Sequence, residues 1–477
     1  VSKQEFGDWQ TPSALAAEVL SRVARSTGVV PSVVLESTCG EGSFLTAAAA
    51  QFPGAKLVGY ELKAPYVATA KSRLRGTRAA IFGADFFGVD WDRELDAMPG
   101  HILVTGNPPW VTNAALGALG SANLPAKRNL KGLSGLDAMT GKSNFDVSEW
   151  MILRLIAALQ GRRATLALLC KIAVARKVVE FASSHSWDVS PGGMWRIDTM
   201  RHFNAAVDAA LFVCEVGISK RHRAGWPIYK SLDATHREST MAIVDGIAIA
   251  DADAFDRTAH IAGACDPEWR SGLKHDCSRV MELHRDGSSW RNAMGEDVAI
   301  EDVVVYPMLK SSDVAKGHAD AARGVIVPQH ALGEDTSALK SIAPRAWAYL
   351  TRHRELLMGR KSSIYRGQPD FAIFGIGPYS FAPWKIAISG MYKRCAFTMV
   401  GPVDGRPVML DDTCYFLPFE TEAGARRALN ALRSPLASDF FAARIFWDSK
   451  RPINKALLQQ LDLHALDREL SHVRRAV

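Results

Sequence analysis

Paired cysteines are the first thing this 477-residue chain lacks. Its seven cysteines are an odd number, scattered at Cys39, Cys170, Cys214, Cys265, Cys277, Cys395 and Cys414, with no Cys-x-x-Cys. That pattern excludes a disulfide framework and points to a reducing, cytoplasmic compartment. His260, Cys265, His275 and Cys277 match no common zinc-finger spacing, so no metal is expected. No apolar run reaches membrane-spanning length, and the polar, charged N-terminal stretch is unlike a signal peptide, so no membrane partner is expected. Internal repeats and extended low-complexity tracts are absent too. Charge is not extreme: 57 Lys and Arg against 50 Asp and Glu give +7, which permits a polyanionic partner without requiring one. With 48% hydrophobic residues, a chain of this length can form two or three domains with substantial cores.

The most informative feature present is Asn107-Pro108-Pro109-Trp110, which follows an apolar run from His101 to Gly106 that reads as a buried strand. Each proline fixes its own φ and pushes the preceding residue out of the helical region, so the tetrapeptide is a stiff, extended turn. It offers the side-chain carbonyl of Asn107, a backbone carbonyl and the face of Trp110. Two acceptors and a stacking surface suit a planar amine such as that of adenine. An ordinary turn after a strand reads the same way locally.

The residues upstream decide between these readings. Ser32 to Glu36 is a predicted strand, Cys39-Gly40-Glu41-Gly42-Ser43-Phe44 a glycine turn, and Leu45 to Gln51 a helix. Gly40 and Gly42 allow a ligand to approach the backbone. A second strand, Lys56 to Tyr60, ends at Glu61. A third, Ala79 to Phe82, leads to Asp85 and Phe86. Any one of these acids is more often a helix cap or a loop residue. Yet Glu36, Glu61, Asp85 and Asn107 recur at intervals of 22 to 25 residues, about the length of one strand-plus-helix unit of a parallel sheet. All four are therefore expected along one sheet edge, where ligands bind in doubly wound folds.

This order resembles that of S-adenosylmethionine-dependent DNA adenine-N6 methyltransferases of the restriction–modification type, in the gamma arrangement with the cofactor motif first and the recognition domain last. The resemblance covers roughly residues 5–220. It implies an α/β fold: a Rossmann-like methyltransferase domain with a mostly parallel, doubly wound sheet at 1–223, and a C-terminal mixed α+β target-recognition domain at 224–477. It implies that S-adenosylmethionine, leaving as S-adenosylhomocysteine, binds at Glu36, Cys39, Gly40, Gly42 and Phe44 (the methionine end), Glu61 (the ribose), Asp85 and Phe86 (the adenine). Thr11 and Pro12 match the family's upstream Thr-Pro, and Asn107 borders the same pocket. Asn107, Pro108, Pro109 and Trp110 are then the catalytic turn. Ser37 and Trp110 depart from the family's more usual Pro and Tyr or Phe.

Further along, Ser143-Asn144-Phe145-Asp146 precedes a helix from Val147 to Leu159. The resemblance offers Phe145 and Asp146 as neighbours of the cofactor's adenine; a plain N-cap at Asp146 is the alternative. Phe203, just before the strand Ala209 to Val216, matches the aromatic that sandwiches an extruded base opposite Trp110, although core phenylalanines are commoner. Candidate DNA contacts are Lys127, Arg128, Lys131 and Lys142 on a glycine-rich stretch after the turn. In the second domain they are Arg352, Arg354, Arg360, Lys361, Arg366, Lys385, Lys450 and Arg451. Gly225-Trp226-Pro227 reads as the linker. The expected reaction is methyl transfer to adenine N6 after base flipping in double-stranded DNA. The enzyme would sit in the bacterial cytoplasm with the nucleoid, and a separate restriction endonuclease and a homodimer are left open as partners. RNA adenine, a protein glutamine amide, or a non-catalytic DNA-binding subunit are the rival readings.

Overall fold

The computed structural model describes residues 9–111, 146–217, 225–287, 289–318, 321–449 and 451–476. Lys127, Arg128, Lys131, Lys142, Phe145 and Lys450 lie outside the described residues. Two compact units divide the chain, Val1–Asp253 and Ala254–Val477.

In the first unit, α1 (Ser13–Thr27) precedes β1 (Val33–Glu36), α2 (Ser43–Gln51), β2 (Lys56–Glu61), α3 (Ala64–Arg73), β3 (Ala79–Gly83), α4 (Trp91–Asp96) and β4 (Ile102–Gly106). Then come α5 (Val147–Ala158), β5 (Ala164–Lys171), α6 (Ile172–Ser184), β6 (Val189–Ile197), α7 (Thr199–Phe203) and β7 (Ala209–Val216), followed by β8 (Trp226–Tyr229), β9 (Ser239–Val244) and β10 (Ile247–Ile249). The strands form one sheet in the order β10-β9-β8-β6-β7-β5-β4-β1-β2-β3. From β3 to β5 every pairing is parallel. Strand β7 enters antiparallel between β5 and β6. The central strands are mostly apolar, as burial on both faces requires: Val33–Glu36 and Ile102–Gly106 are buried at every position, with Glu36 and Thr105 their only polar side chains. Strand order reverses between β1 and β4, so the crevice beyond their carboxyl ends is the topological switch point, where ligands bind in such sheets.

Expected and observed boundaries differ at the end of this unit. The Gly225-Trp226-Pro227 linker is instead the entry to β8, which pairs with β6 in parallel (Met194↔Ile228, Trp195↔Tyr229). Trp226 stacks on Phe212 of β7 at 5.3 Å, and Tyr229 stacks on Trp195 at 4.8 Å. Those rings tie β8 to the sheet, and β9 and β10 extend it. The first unit therefore closes near residue 253 rather than at 223.

The second unit contains a four-stranded sheet and a six-stranded sheet of short, mostly antiparallel strands. Among them β11 (Trp384–Ser389) pairs antiparallel on both sides, with β12 (Thr398–Val400) and β13 (Cys414–Phe419). Helices Glu422–Leu432, Pro435–Ala442 and Leu463–Ala476 accompany that sheet. This is the mixed α+β organisation expected. No helix among the described residues is long and apolar enough to cross a membrane.

Candidate active site

The carboxyl ends of β1 to β4 carry Glu36, Glu61, the Ala84–Phe87 turn and Asn107 around one open cleft. Trp9, Gln10 and Thr11 border it ahead of α1, and Val147 and Met151 do so from the start of α5. Of the residues expected to hold a cofactor, Thr11, Glu36, Cys39, Gly40, Phe44, Glu61, Phe86 and Asn107 line this cleft, whereas Pro12, Gly42 and Asp85 do not. Pro109 lines it from the turn; Pro108, Trp110 and Phe203 do not.

The glycine turn is shaped for close approach. Gly40 has φ +50° and Gly42 φ +83°, both in the left-handed region that favours glycine. A Cβ on Gly40 would lie 2.6 Å from Gln10 Oε1, and one on Gly42 would press on Ala70 at 3.2 Å. Gly42 therefore serves helix packing more than ligand contact. Cys39 N–H donates to the Tyr60 carbonyl at 2.8 Å, and Gly40 N–H donates to Glu61 Oε2 at 2.8 Å. Glu61 Oε1 accepts from Lys63 N–H at 2.8 Å. The carboxylate at the end of β2 thus fixes the turn after β1 while bordering the cleft.

Glu36 is 3% exposed and its Oε2 has no hydrogen-bond partner. Burial, with the nearby negative charge of Glu61, pushes its carboxyl well above the ordinary glutamate range. Asn107 donates from Nδ2 to the Trp9 carbonyl at 3.2 Å, and this fixes the orientation of its amide. Its Oδ1 is buried and unpartnered. Buried side-chain acceptors are rarely left unpaired, and here two of them belong to residues that line one cleft. Asp85 is engaged as a cap: its Oδ1 accepts from Phe87 N–H at 3.1 Å, holding the short helical turn Phe86–Gly88. Phe86 packs against Trp91 at 4.8 Å.

Trp110 and Phe203 meet edge to face, centroids 5.4 Å apart and planes at 72°. Trp9 meets Phe203 in the same manner at 6.4 Å. Two parallel faces far enough apart to admit a base are not present in this arrangement. Trp110 is also held by a bond from Nε1 to the Leu169 carbonyl at 3.3 Å. Asp146 is the plain N-cap of α5, accepting from Ser148 N–H at 3.1 Å and Ser148 Oγ at 2.6 Å.

The sequence matches no family model. One relative, the Type II methyltransferase M.NspV of Nostoc sp. (strain ATCC 29411 / PCC 7524), is 40% identical over 472 residues, covering 98% of each chain. The chain belongs to the Type II methyltransferases. In fold, this methyltransferase is similar to the Type IIL restriction–modification enzyme MmeI, solved in complex with DNA. The likeness has a TM-score of 0.50 at 14% identity and covers 94% of this chain and 64% of that one. This chain thus spans somewhat less than two thirds of MmeI's length.

The cationic residues expected to grip DNA divide sharply in the methyltransferase. Lys385 is contradicted as a surface contact: it is 1% exposed on β11, donates from Nζ to the Ala382 carbonyl at 2.6 Å, and burial lowers its pKa to about 7. Arg360 is half-buried, bonded to the carbonyls of Leu357, His275 and Ala372 and lying 3.7 Å over the Tyr365 ring. Arg354 is exposed but paired with both oxygens of Asp370 at 2.8 and 2.7 Å. Arg451 lies 3.9 Å from Asp412. Arg352, Lys361 and Arg366 are exposed and form no ion pair among the described residues. Sequence reasoning missed Trp9, whose carbonyl orients Asn107, and Leu62, an apolar side chain 49% exposed on the cleft wall directly after Glu61. An apolar residue following the acid at a strand end was the available signal for Leu62. A backbone carbonyl acting across 98 residues leaves none. Among the described residues no group of three or more His, Cys, Asp or Glu converges as a metal site.

Proposed function

We propose that this methyltransferase transfers a methyl group from S-adenosylmethionine to the exocyclic N6 of adenine in double-stranded DNA. The observation that carries the reading is the unpartnered, buried Oδ1 of Asn107, a residue that follows β4, lines the open cleft and has its amide held by the Trp9 carbonyl. An acceptor placed there awaits a donor, and an amine supplies one. The cleft also fits the cofactor. Glu36 offers an unpaired carboxylate oxygen for the methionine ammonium. The Gly40 turn lines the cleft where the methionine backbone would lie, and Glu61 stands at the end of β2 for the ribose hydroxyls. Leu62 and Phe86 offer apolar surface for the adenine of the cofactor.

When bound, S-adenosylmethionine supplies an electrophilic methyl on a sulfonium. The chain's own residues would do the rest. Adenine's amino nitrogen is a weak nucleophile because its lone pair is delocalised into the ring. Asn107 Oδ1 and the Pro108 carbonyl would each accept one of its hydrogens and favour a pyramidal nitrogen. The lone pair then forms the N–C bond as the C–S bond breaks, and the excess proton leaves to solvent. Alignment of the two reactants accounts for much of the rate. Reaching N6 in a duplex requires rotating the base out, at a cost of a few kcal/mol. Receiving that base between Trp110 and Phe203 would require one ring to turn from the edge-to-face contact. The second unit would bind the duplex through exposed cations, Arg352, Lys361 and Arg366 among them. The Type II name of the relative and the DNA in the MmeI structure support a DNA substrate.

The decisive experiment expresses the protein in a host without its own DNA methylation and reads methylated positions by single-molecule sequencing. N6-methyladenine at one recurrent sequence is expected. Methylated cytosine alone, or methyl incorporated only into RNA or protein, would overturn the assignment.

A further inference from the structure

Lys171, the last residue of β5, belongs to no part of the chemistry above, yet it touches the catalytic turn from behind. Its Nζ donates to Asp146 Oδ2 at 2.6 Å and to the Trp110 carbonyl at 3.3 Å. The Asp146 side chain is 8% exposed, and its other oxygen is occupied by Ser148. Beside this pair Val147 N–H donates to the Val111 carbonyl at 2.8 Å. One ammonium therefore joins the end of β5, the turn after β4, and the start of α5, whose Val147 and Met151 line the cleft.

The turn has few degrees of freedom left to fix. Prolines 108 and 109 lock two φ angles, and Asn107 is tied at the front end to the Trp9 carbonyl. At the rear, Trp110 is held by its ring nitrogen on Leu169 and by its carbonyl on Lys171. Anchoring the Trp110 carbonyl, together with the two fixed proline φ angles, restricts the orientations open to the Pro108 peptide two residues earlier. We propose that Lys171 is a positioning residue for methyl transfer: by holding the Trp110 carbonyl away from the cleft it sets the turn so that Asn107 Oδ1 and the Pro108 carbonyl both face the target amine. This inference rests on reading the turn as the site of transfer. Lys171 does not line the cleft, and Asp146 neutralises its charge, so it does not repel a cationic cofactor. The arrangement gives a rigid donor without placing a positive charge among the reactants.

The test compares Lys171→Met, Lys171→Arg and Asp146→Asn in the full-length protein, on a duplex that the wild type methylates. Single-turnover transfer, calorimetric affinity for S-adenosylhomocysteine and thermal melting are measured for each. Misplacing a reacting group by about 1 Å costs on the order of 100-fold. Lys171→Met should therefore lose about 10- to 100-fold in single-turnover rate, with product affinity changed less than about threefold. Lys171→Arg keeps a donor that spans both acceptors and should recover most of the rate. A methionine variant within about twofold of the wild-type rate would overturn the proposal. So would an arginine variant no faster than the methionine one when both bind S-adenosylhomocysteine normally. If Lys171→Met does not fold, Asp146→Asn decides: an unchanged rate overturns the clamp. A wild type that transfers no methyl to DNA refutes the functional reading itself, and the clamp with it.

Discussion

Replacing Asn107 with alanine should destroy activity while leaving the empty protein about as stable as before. The side chain makes one bond, from Nδ2 to the Trp9 carbonyl at 3.2 Å, with a net worth of roughly 0.5–1.5 kcal/mol. It also buries one acceptor, Oδ1, with no partner, and an unpaired buried polar atom costs about 1–3 kcal/mol. Truncation removes both, so the two effects offset. Stability should change by less than about 1 kcal/mol, in either direction, a melting shift of only a few degrees. The transition state loses a positioned acceptor, and such losses are worth about 10²–10³ in rate. Single-turnover transfer from tritiated cofactor, calorimetry with S-adenosylhomocysteine and scanning calorimetry measure the three quantities. Asn107→Asp refines the result. It keeps an acceptor toward the cleft but sets a second oxygen against the Trp9 carbonyl, so it should melt lower and retain more activity than the alanine variant. Wild-type turnover in Asn107→Ala, or a loss of rate matched by equal losses of stability and product affinity, would refute the reasoning.

Glu36 gives a pH-dependent expectation. Its folded pKa is raised, so its contribution to stability is complete below the ordinary glutamate value and is lost as pH rises through the folded one. Glu36→Gln should flatten that decline in the empty protein yet weaken S-adenosylhomocysteine binding, and wild-type binding should release protons, seen as a buffer-dependent calorimetric enthalpy. Glu61→Ala should cost about 1–3 kcal/mol of product affinity by calorimetry, and Asp85→Ala less, because Asp85 does not line the cleft and acts only through the Phe86–Gly88 turn it caps. The loss should be larger for Glu61, because it also anchors Gly40 and Lys63. Lys385 has the opposite sign from Glu36: its pKa is lowered to about 7, so its contribution is present above the ordinary lysine value and is lost as pH falls toward 7. Lys385→Met should raise the melting temperature more at pH 7 than at pH 10, with at most a few kcal/mol at stake. Neutralising Arg352, Lys361 and Arg366 together should flatten the salt dependence of DNA binding by about one unit for each phosphate no longer neutralised, at unchanged cofactor affinity, in fluorescence titrations.

The strands that build the site could be read from sequence because each is a short apolar run ended by an acid or a glycine. β1, β2, β3, β4 and β7 all lie within a residue or two of their expected limits. β6 was missed: it begins Val189-Ser190-Pro191-Gly192-Gly193, and the register shifts between Pro191 and Gly193, so its composition resembles a loop. The same bias turned Trp226-Pro227 into a linker. Within the cleft, residue type and spacing located Glu36, Glu61 and Asn107. They could not show that Asp85 spends one oxygen on a cap, or that Lys171 reaches Trp110 across 61 residues. The second unit was least legible. Arginines and lysines clustered in sequence suggested a common face, but Arg360 and Lys385 point inward. A one-dimensional cluster says nothing about which side of a strand or turn each member takes.

Strand β8 has a practical consequence for anyone dividing this protein. It covers the outer edge of β6, and β9 and β10 in turn cover β8. A fragment ending at residue 223 would strip all three and leave the nine-residue β6 with a bare row of amide and carbonyl groups. Such an edge is a template for pairing with another chain, so that fragment should aggregate whatever the state of its cleft. Ending at Asp253 instead keeps β10, only three residues long, as the terminal strand, and short edge strands are among the ways natural sheets limit self-association.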